Sequence, residues 1–434
     1  MMAKLKCMVS CLFVILIGPA YGQPEPENFS WHYQATAIDQ EHGSFNAPYS
    51  GTNSLQPVTE SATSYTTTLF LGKKLWEGGE VYFDPEISGG QGLSNGVGLA
   101  GYSNGEIERI SAPQATLYMA RLFLRQTWEL GGEKKFIGGD QNRLAKFQPT
   151  SRFSLTMGKL FVMDIFDANE YSNDTRTQFM NWALMANGAW DFPADTRGYT
   201  WGVVGEYIQP DWALRFGSFM VPKSAIGLRF DYRVGRAHGE AVEWESRYKL
   251  HGEPGKFRLI GFANHARMGN YRTTIDTPQF GMDITQSRSY STKYGGGLTI
   301  EQRINPHVGG FMRLGWNDGK TETWSYTEID QTAALGIELK GEMWARPTDK
   351  IGLAGAANFL SRDHRDYLAA GGLGPMLGDG ALSYSPEQIL EAYYSLEVFR
   401  GMALTLDYQR IANPGYNSDR GPVSIWSGRL HYAY

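Results

Sequence analysis

From about residue 24 onward, apolar and polar residues alternate with a period of two rather than 3.6. Between Ala241 and Leu250, Val242, Trp244, Tyr248 and Leu250 share a face with Ser246, while Glu243, Glu245, Arg247 and Lys249 take the other. From Ala333 to Met343, Leu335, Ile337, Leu339 and Met343 alternate with Gly336, Glu338, Lys340 and Glu342. The same phase recurs over Tyr294–Ile304, Val308–Trp316 and Met402–Tyr408. Such alternation predicts strands with one apolar and one polar face. Strands of a soluble sandwich run about 5–6 residues. These run about 9–11, the length that crosses a bilayer at a tilt. Their apolar faces often end in Trp or Tyr, as membrane-interface girdles require. Hydrocarbon leaves no partner for an open sheet edge, so the strands must close on themselves.

The expected fold is therefore all-β: a transmembrane antiparallel β-barrel. Candidate strands number roughly 15–17, and the preference for even counts selects sixteen. Short periplasmic turns, long extracellular loops and at least one loop folded into the pore complete the expectation. Ile38–Tyr65, Tyr82–Ala115, Val162–Met180, Arg267–Ser291 and Arg362–Pro386 are the long connections it marks. A barrel of this size keeps its lumen open to water. At the C-terminus Trp426, Gly428, Leu430, Tyr432 and Tyr434 alternate with Ser427, Arg429, His431 and Ala433. A last amphipathic strand ending on an aromatic is the expected signal to the barrel-assembly machinery.

The first residues carry a different pattern. Lys4 and Lys6 precede an apolar run from Cys7 to Ala20, and Ala20-Tyr21-Gly22 offers a small-x-small cleavage site. Residues 1–22 thus read as a secretory signal peptide and 23–434 as the barrel. Both cysteines, Cys7 and Cys11, fall inside the signal. Disulfide stapling, cysteine-ligated zinc and thiol nucleophiles are excluded for the mature chain. An exported, cysteine-free chain with 52 glycines and 13% aromatic residues points to a bacterial outer membrane, with its lipid as the surroundings. The net charge of −5 argues against nucleic acid as a partner.

Two motifs overlap in one place. Gly96-Val97-Gly98-Leu99-Ala100-Gly101 fits GxGxxG and Gly101-Tyr102-Ser103-Asn104-Gly105 fits GxSxG. The first works only between a strand and a helix of a βαβ unit, the second only at a strand-to-helix elbow. Neither context exists here, so both read as a glycine-rich pore loop. No HExxH or comparable cluster occurs among His32, His42, His238, His251, His265, His307, His364 and His431, so no metal and no cofactor is expected. Asp164, Asp167 and Asn169 are oxygen donors of the kind that hold Ca²⁺, though acidic turn residues are commoner than sites. No catalytic residue is expected.

From Thr116 to Leu130, Tyr118, Ala120, Leu122, Leu124 and Trp128 form the apolar face. That phase sends Met119, Arg121, Phe123 and Arg125 into the lumen. Two arginines four residues apart lie about 13–14 Å apart along a strand. Guanidinium forks present planar donors to sugar hydroxyls and an aromatic such as Phe123 can stack on a sugar face. Pairing with acids across the wall is the competing reading. Lumenal charge is otherwise mixed in sign, through Glu243, Glu245, Arg247, Glu301, Arg303, Arg313, Glu338, Lys340 and Glu342. A mixed lining suits neutral, hydroxyl-rich solutes better than ions.

Several stretches resemble the carbohydrate-selective porins of the OprB family. They include Ala120-Arg121-Leu122-Phe123-Leu124-Arg125-Gln126-Thr127, Asp164-Ile165-Phe166-Asp167-Ala168-Asn169, Gln178-Phe179-Met180-Asn181-Trp182 and Tyr367-Leu368-Ala369-Ala370-Gly371-Gly372-Leu373. Asp407-Tyr408-Gln409-Arg410-Ile411-Ala412-Asn413-Pro414 and Arg429-Leu430-His431 extend the likeness to the C-terminus. The resemblance implies a sixteen-stranded barrel that passes glucose and other monosaccharides by facilitated diffusion. It also implies arginines at the constriction, at Arg121 and Arg125. A general diffusion porin, a barrel enzyme built on Ser103 and an adhesin with a plugged lumen are the rival readings.

Overall fold

The alternating segments become sixteen antiparallel strands that close into one barrel. The computed structural model describes residues 25–110 and 112–434, so the expected signal peptide lies outside the described residues. In chain order the first eight strands are β1 (Phe29–His42), β2 (Glu60–Trp76), β3 (Gly79–Gly90), β4 (Thr116–Ile137), β5 (Lys146–Phe161), β6 (Tyr199–Ile208), β7 (Trp212–Phe219) and β8 (His238–Leu250). The second eight are β9 (Glu253–Met268), β10 (Ser289–Asn305), β11 (Val308–Asn317), β12 (Gln331–Lys340), β13 (Lys350–Phe359), β14 (Glu387–Phe399), β15 (Met402–Ala412) and β16 (Val423–Ala433). Each strand pairs with its sequence neighbours. The C-terminal strand then closes on β1, from Gln34 opposite Ala433 to His42 opposite Ile425.

The two ends of the barrel differ. One carries the start of β1, the C-terminal Tyr434 and the connections 77–78, 138–145, 209–211, 251–252, 306–307, 341–349 and 400–401. The other carries the long loops 43–59, 91–115, 162–198, 220–237, 269–288, 318–330, 360–386 and 413–422. The strands run further into the loops than expected, because β1 continues to His42 and β2 begins at Glu60. The expected connection Ile38–Tyr65 shrinks accordingly. Three long loops, 220–237, 318–330 and 413–422, were not foreseen. In the other direction, the alternation over Ala333–Met343 stops as strand at Lys340. There the chain turns through Gly341–Trp344, and a Cβ on Gly341 would meet the Arg346 carbonyl oxygen at 1.8 Å.

The outer surface carries exposed Leu122, Val203, Phe216, Val242, Leu259, Leu335 and Leu406. Two belts of exposed aromatics flank this band. Trp31, Trp76, Trp128, Tyr207 and Trp244 lie toward the short turns, and Tyr65, Trp201, Tyr294, Trp316 and Trp426 toward the long loops. Aromatic girdles at both interfaces are what a lipid-facing barrel needs. On β4 the expected phase fails at its upper end. A register shift between Asp84 and Pro85 leaves Ala120 without its own partner on β3. This bulge turns Tyr118 inward, where its hydroxyl bonds Glu86, and buries Ala120 completely. One extra residue reverses a two-residue alternation. Tyr118 and Ala120 therefore do not face lipid.

Candidate functional site

The lumen at the long-loop end is filled by protein, because the longest loop, 162–198, folds into it. Trp182, Trp190 and Phe192 are buried there, with Trp182 stacked on Phe192 at 5.7 Å and Trp190 on Phe262 of β9 at 5.8 Å. Small wall residues make room: Ala334 of β12 and Ala354 and Ala356 of β13 are buried in the cluster that holds Phe179 and Leu184. On β11 a Cβ at Gly309 would strike the Tyr171 ring at 2.0 Å.

Charged wall residues clamp this loop by its backbone. Arg313 of β11 is fully buried. It donates to the carbonyls of Leu184 at 2.7 Å and Ser172 at 2.6 Å, and pairs with Asp167 at 3.3 Å. Arg429 of β16 donates to the carbonyls of Thr175 and Gln178. Glu391 of β14 accepts from the amides of Met180 and Asn181. A second network joins two loops to the β2–β3–β6 wall. Arg176 reaches Glu106 at 2.8 Å and Glu86 at 3.0 Å. Arg109 reaches Glu106 at 3.3 Å and the Tyr199 hydroxyl at 2.7 Å. Burial opposes ionisation of Glu106, yet Arg176 and Arg109 outweigh it and hold the carboxyl down at about 2. For the adjacent Glu108 burial wins over Arg109 and pushes the carboxyl up to about 8. Arg109 and Arg176 were not singled out by the alternation, since both lie in loops.

The wall from β4 to β10 carries a belt of long charged side chains that meets the same loop, Glu243 accepting from the Asp167 amide and Glu301 from the Glu170 amide. Arg215 of β7 pairs with Glu206, Glu243 and Glu245 at 3.0–3.1 Å. Arg258 of β9 bridges Glu245 and Glu301 at 3.0 and 3.1 Å. Arg247 pairs with Glu245, and Lys256 with Glu301, both at 2.6 Å. Arg152 of β5 lies within electrostatic reach of Arg125, Arg215, Arg247 and Glu206. A basin of about 340 Å³ opens beside this belt, lined by Glu170, Tyr171, Arg247, Lys256, Glu301 and Arg303 among others. Ligand pockets have volumes of about 300–1,000 Å³.

The expected constriction residues stand at one edge of the belt, all pointing inward. Arg121 is buried, donating from Nε and Nη2 to Asp164 at 2.6 and 2.8 Å and pairing with Asp84 at 3.3 Å. Asp164 keeps 38% of its side chain exposed. Arg125 is half-buried. It lies over the rings of Tyr82 and Phe123, 5.4 and 5.2 Å from their centroids, and donates to the Asn142 carbonyl at 3.1 Å. Phe123 is buried and stacked on Tyr82 at 5.0 Å. Asn142 belongs to connection 138–145, which bends back under the lumen. It also reaches Asp84 at 3.0 Å, while Gln141 reaches Gln34. Nothing in the sequence pattern distinguishes this inward turn from the others.

The remaining motifs are structural. The Ser103 hydroxyl donates to Gln40 at 3.0 Å, and the amides of Gln40 and Gln409 donate to the Ser103 carbonyl. Among the described residues, no histidine is a partner of that hydroxyl. Gly98 adopts φ +89°, and a Cβ there would meet the Leu55 nitrogen at 1.8 Å, so its glycine serves loop packing. Asp167 accepts from Thr299, Arg313 and the Asn187 amide. Asn169 accepts from the amides of Tyr171 and Ser172. With Asp164 held by Arg121, these oxygens are engaged by protein donors.

The arrangement offers hydrogen-bond donors and acceptors of both signs along the lumenal wall and its basin. A sequence profile of the carbohydrate-selective porins of the OprB family matches residues 64–434. Porin B of Pseudomonas aeruginosa is 24% identical over 277 residues, which are 58% of this chain and 59% of that protein; the match thus spans about three fifths of the relative. The high-pH structure of OprB from Pseudomonas putida superposes with a TM-score of 0.70, at 16% identity and 94% coverage of both chains. The outer-membrane channel DcaP of Acinetobacter baumannii superposes at 0.52, with 8% identity and coverage of 94% and 97%. These two likenesses concern the fold.

Proposed function

The chain belongs to the OprB family of carbohydrate-selective porins, and from that premise we propose that it passes glucose and other monosaccharides down their gradient across the bacterial outer membrane. The observation that carries this reading is the belt from β4 to β10, where arginines and carboxylates alternate along the wall and its edge members Arg247 and Lys256 stay part-exposed. Hydroxyl-rich solutes find both donors and acceptors there without any single-signed ring that would favour ions. Guanidinium groups add planar forks that match vicinal hydroxyls. Weak contacts of this kind select without trapping the solute.

In this reading Arg121, Phe123 and Arg125 form one edge of the constriction in different roles. Arg125 meets the solute. Phe123 supports the Arg125 guanidinium from below, and Arg121 fixes the half-exposed Asp164 carboxylate as an acceptor. No bond is made or broken in passage, and no catalytic residue takes part. Residues 1–22 act as the export signal, and the strand ending at Tyr434 is the segment offered to the barrel-assembly machinery.

The test is solute flux into liposomes carrying the purified, refolded barrel, with glucose, a disaccharide and an amino acid of glucose-like size. Faster permeation of glucose than of the matched amino acid is expected. Rates ranked by size alone would reduce the protein to a general diffusion porin. No flux from a folded barrel would overturn transport altogether.

A further inference from the structure

A second site lies on the outer face of the wall, where the sheet assembles three ligating side chains that are scattered in the sequence. His238, at the upper end of β8, stands opposite His265 of β9. Glu240 follows His238 by two residues, so it projects from the same face. The two rings lie 4.5 Å apart at 41°. Nε2 of His238 is 3.0 Å from one Glu240 oxygen, and Nε2 of His265 is 3.4 Å from the other. All three groups offer ligand atoms within 4.8 Å of one another.

The far side of each ring is also held. Nδ1 of His238 lies 2.7 Å from the Val234 carbonyl, and Nδ1 of His265 lies 2.8 Å from the Thr292 hydroxyl. A carbonyl only accepts, so Nδ1 of His238 carries the hydrogen. In the neutral ring Nε2 then presents a lone pair to a carboxylate oxygen, acceptor against acceptor. Such a contact calls for a proton or a metal ion between them. A single divalent ion would satisfy all three groups at once.

From this geometry we infer that His238, Glu240 and His265 bind a divalent transition-metal ion, zinc in the first instance. Two imidazole nitrogens and one carboxylate oxygen are a zinc donor set, with a fourth position left for water. Ligands about 2.0–2.2 Å from a tetrahedral zinc lie roughly 3.3–3.5 Å from one another, close to the two contacts given above. The Val234 carbonyl and the Thr292 hydroxyl orient the rings from behind, as outer partners of metal-bound histidines do. The side chains are 28–40% exposed, so an ion reaches them from solvent. Glu240 lies two residues above lipid-facing Val242, and Thr292 two above the girdle residue Tyr294. The site therefore sits at the outer membrane–water interface. Its ion ties β8 to β9 and, through Val234, fixes loop 220–237.

The experiment is a calorimetric titration of the chelator-treated, refolded barrel in detergent with ZnCl₂, repeated with Co²⁺ followed by its visible absorption. One equivalent of Zn²⁺ with a micromolar or tighter Kd is expected. His265→Ala and Glu240→Gln should each weaken binding at least tenfold, and Thr292→Val severalfold. His307→Ala, at another surface histidine near an acid, should change nothing. Heat-modifiable migration on gels reports that each variant is folded, and His265→Gln repeats the test with little change in side-chain bulk. No saturable binding to the folded wild type would overturn the site. So would affinity unchanged in folded His238→Ala and His265→Ala.

Discussion

The two sides of the barrel wall use the same charged residue types against different partners. On the side from β11 to β16, charges meet backbone: Arg313 and Arg429 receive loop carbonyls, and Glu391 receives loop amides. Small residues such as Ala334, Ala354 and Ala356 leave the space that the loop fills. On the side from β4 to β10, charges mostly meet one another, as Arg215 and Arg258 do with Glu245 and Glu301, though Glu243 and Glu301 also accept the loop amides of Asp167 and Glu170. The first arrangement turns charge into an anchor for a plug. The second knits it into a buried network within the wall. Removing one partner of a buried charge costs about 3–5 kcal/mol, whereas exposed pairs contribute about 0–1 kcal/mol. Buried charges on both sides should therefore answer mutation in stability, and the part-exposed Arg125 and Arg247 at the edge of the belt in selectivity.

The sharpest way to break the contrast is Arg313→Ala. It removes the cation from buried Asp167 and the donor from the Ser172 carbonyl, leaving Leu184 only the Ser172 hydroxyl, so a loss of about 3–5 kcal/mol is expected. Thermal unfolding of the purified barrel measures it. If loop 162–198 then leaves the lumen, single-channel conductance rises and discrimination among solutes falls. Stability and conductance both unchanged would show that the plug does not hang on this arginine. Arg313→Lys should recover only part of the loss, because one ammonium cannot hold carbonyls set apart for a planar fork.

His364 sharpens the comparison through pH. It lies in the helix Arg362–Ala369 of loop 360–386 and is fully buried. Burial disfavours its charge, but Asp330 at 3.0 Å and Glu328 at 3.4 Å outweigh that and raise the ring to about 9. A raised histidine contributes stability that is complete below its unfolded value of about 6.5 and is lost as pH climbs toward 9. The apparent unfolding temperature should fall over that window in the wild type. His364→Gln should lower it at pH 6 and remove most of the slope. Parallel pH curves for the two proteins would show that the loop is not held by this charge.

How much of this was legible beforehand follows the same division. Strand positions such as Val242 to Leu250, the aromatic ends and the inward direction of Arg121, Arg125 and Arg313 all follow from a period of two. Alternation reports which face a residue takes, and one bulge at Ala120 is enough to mislead it. It says nothing of what lies opposite. Arg313 was read as pore lining although loop backbone covers it completely. The plug itself was foreseen only as a loop folded inward, because Trp182, Trp190 and Phe192 have no periodic signature. His238 and His265 stand 27 residues apart and become neighbours only through the register of β8 on β9. Spacing motifs within one segment cannot find such a cluster.

The smallest effect on stability, and the most direct probe of the edge of the belt, is expected at half-buried Arg125. Its neighbour Arg121 is a poor test of selectivity, since Arg121→Ala would leave Asp84 buried without its cation. Arg125 is half-buried and holds only the Asn142 carbonyl, a long contact to Thr156 and two aromatic faces. Arg125→Gln keeps a donor and much of the stem, so a stability change within about 1 kcal/mol is expected. The charge and the planar fork are lost, and the flux ratio of glucose to a size-matched amino acid should fall severalfold. A ratio that stays put, in a variant as stable as the wild type, would move the selective contact away from this edge. The basin at Arg247, Lys256 and Arg303 would then be the place to look.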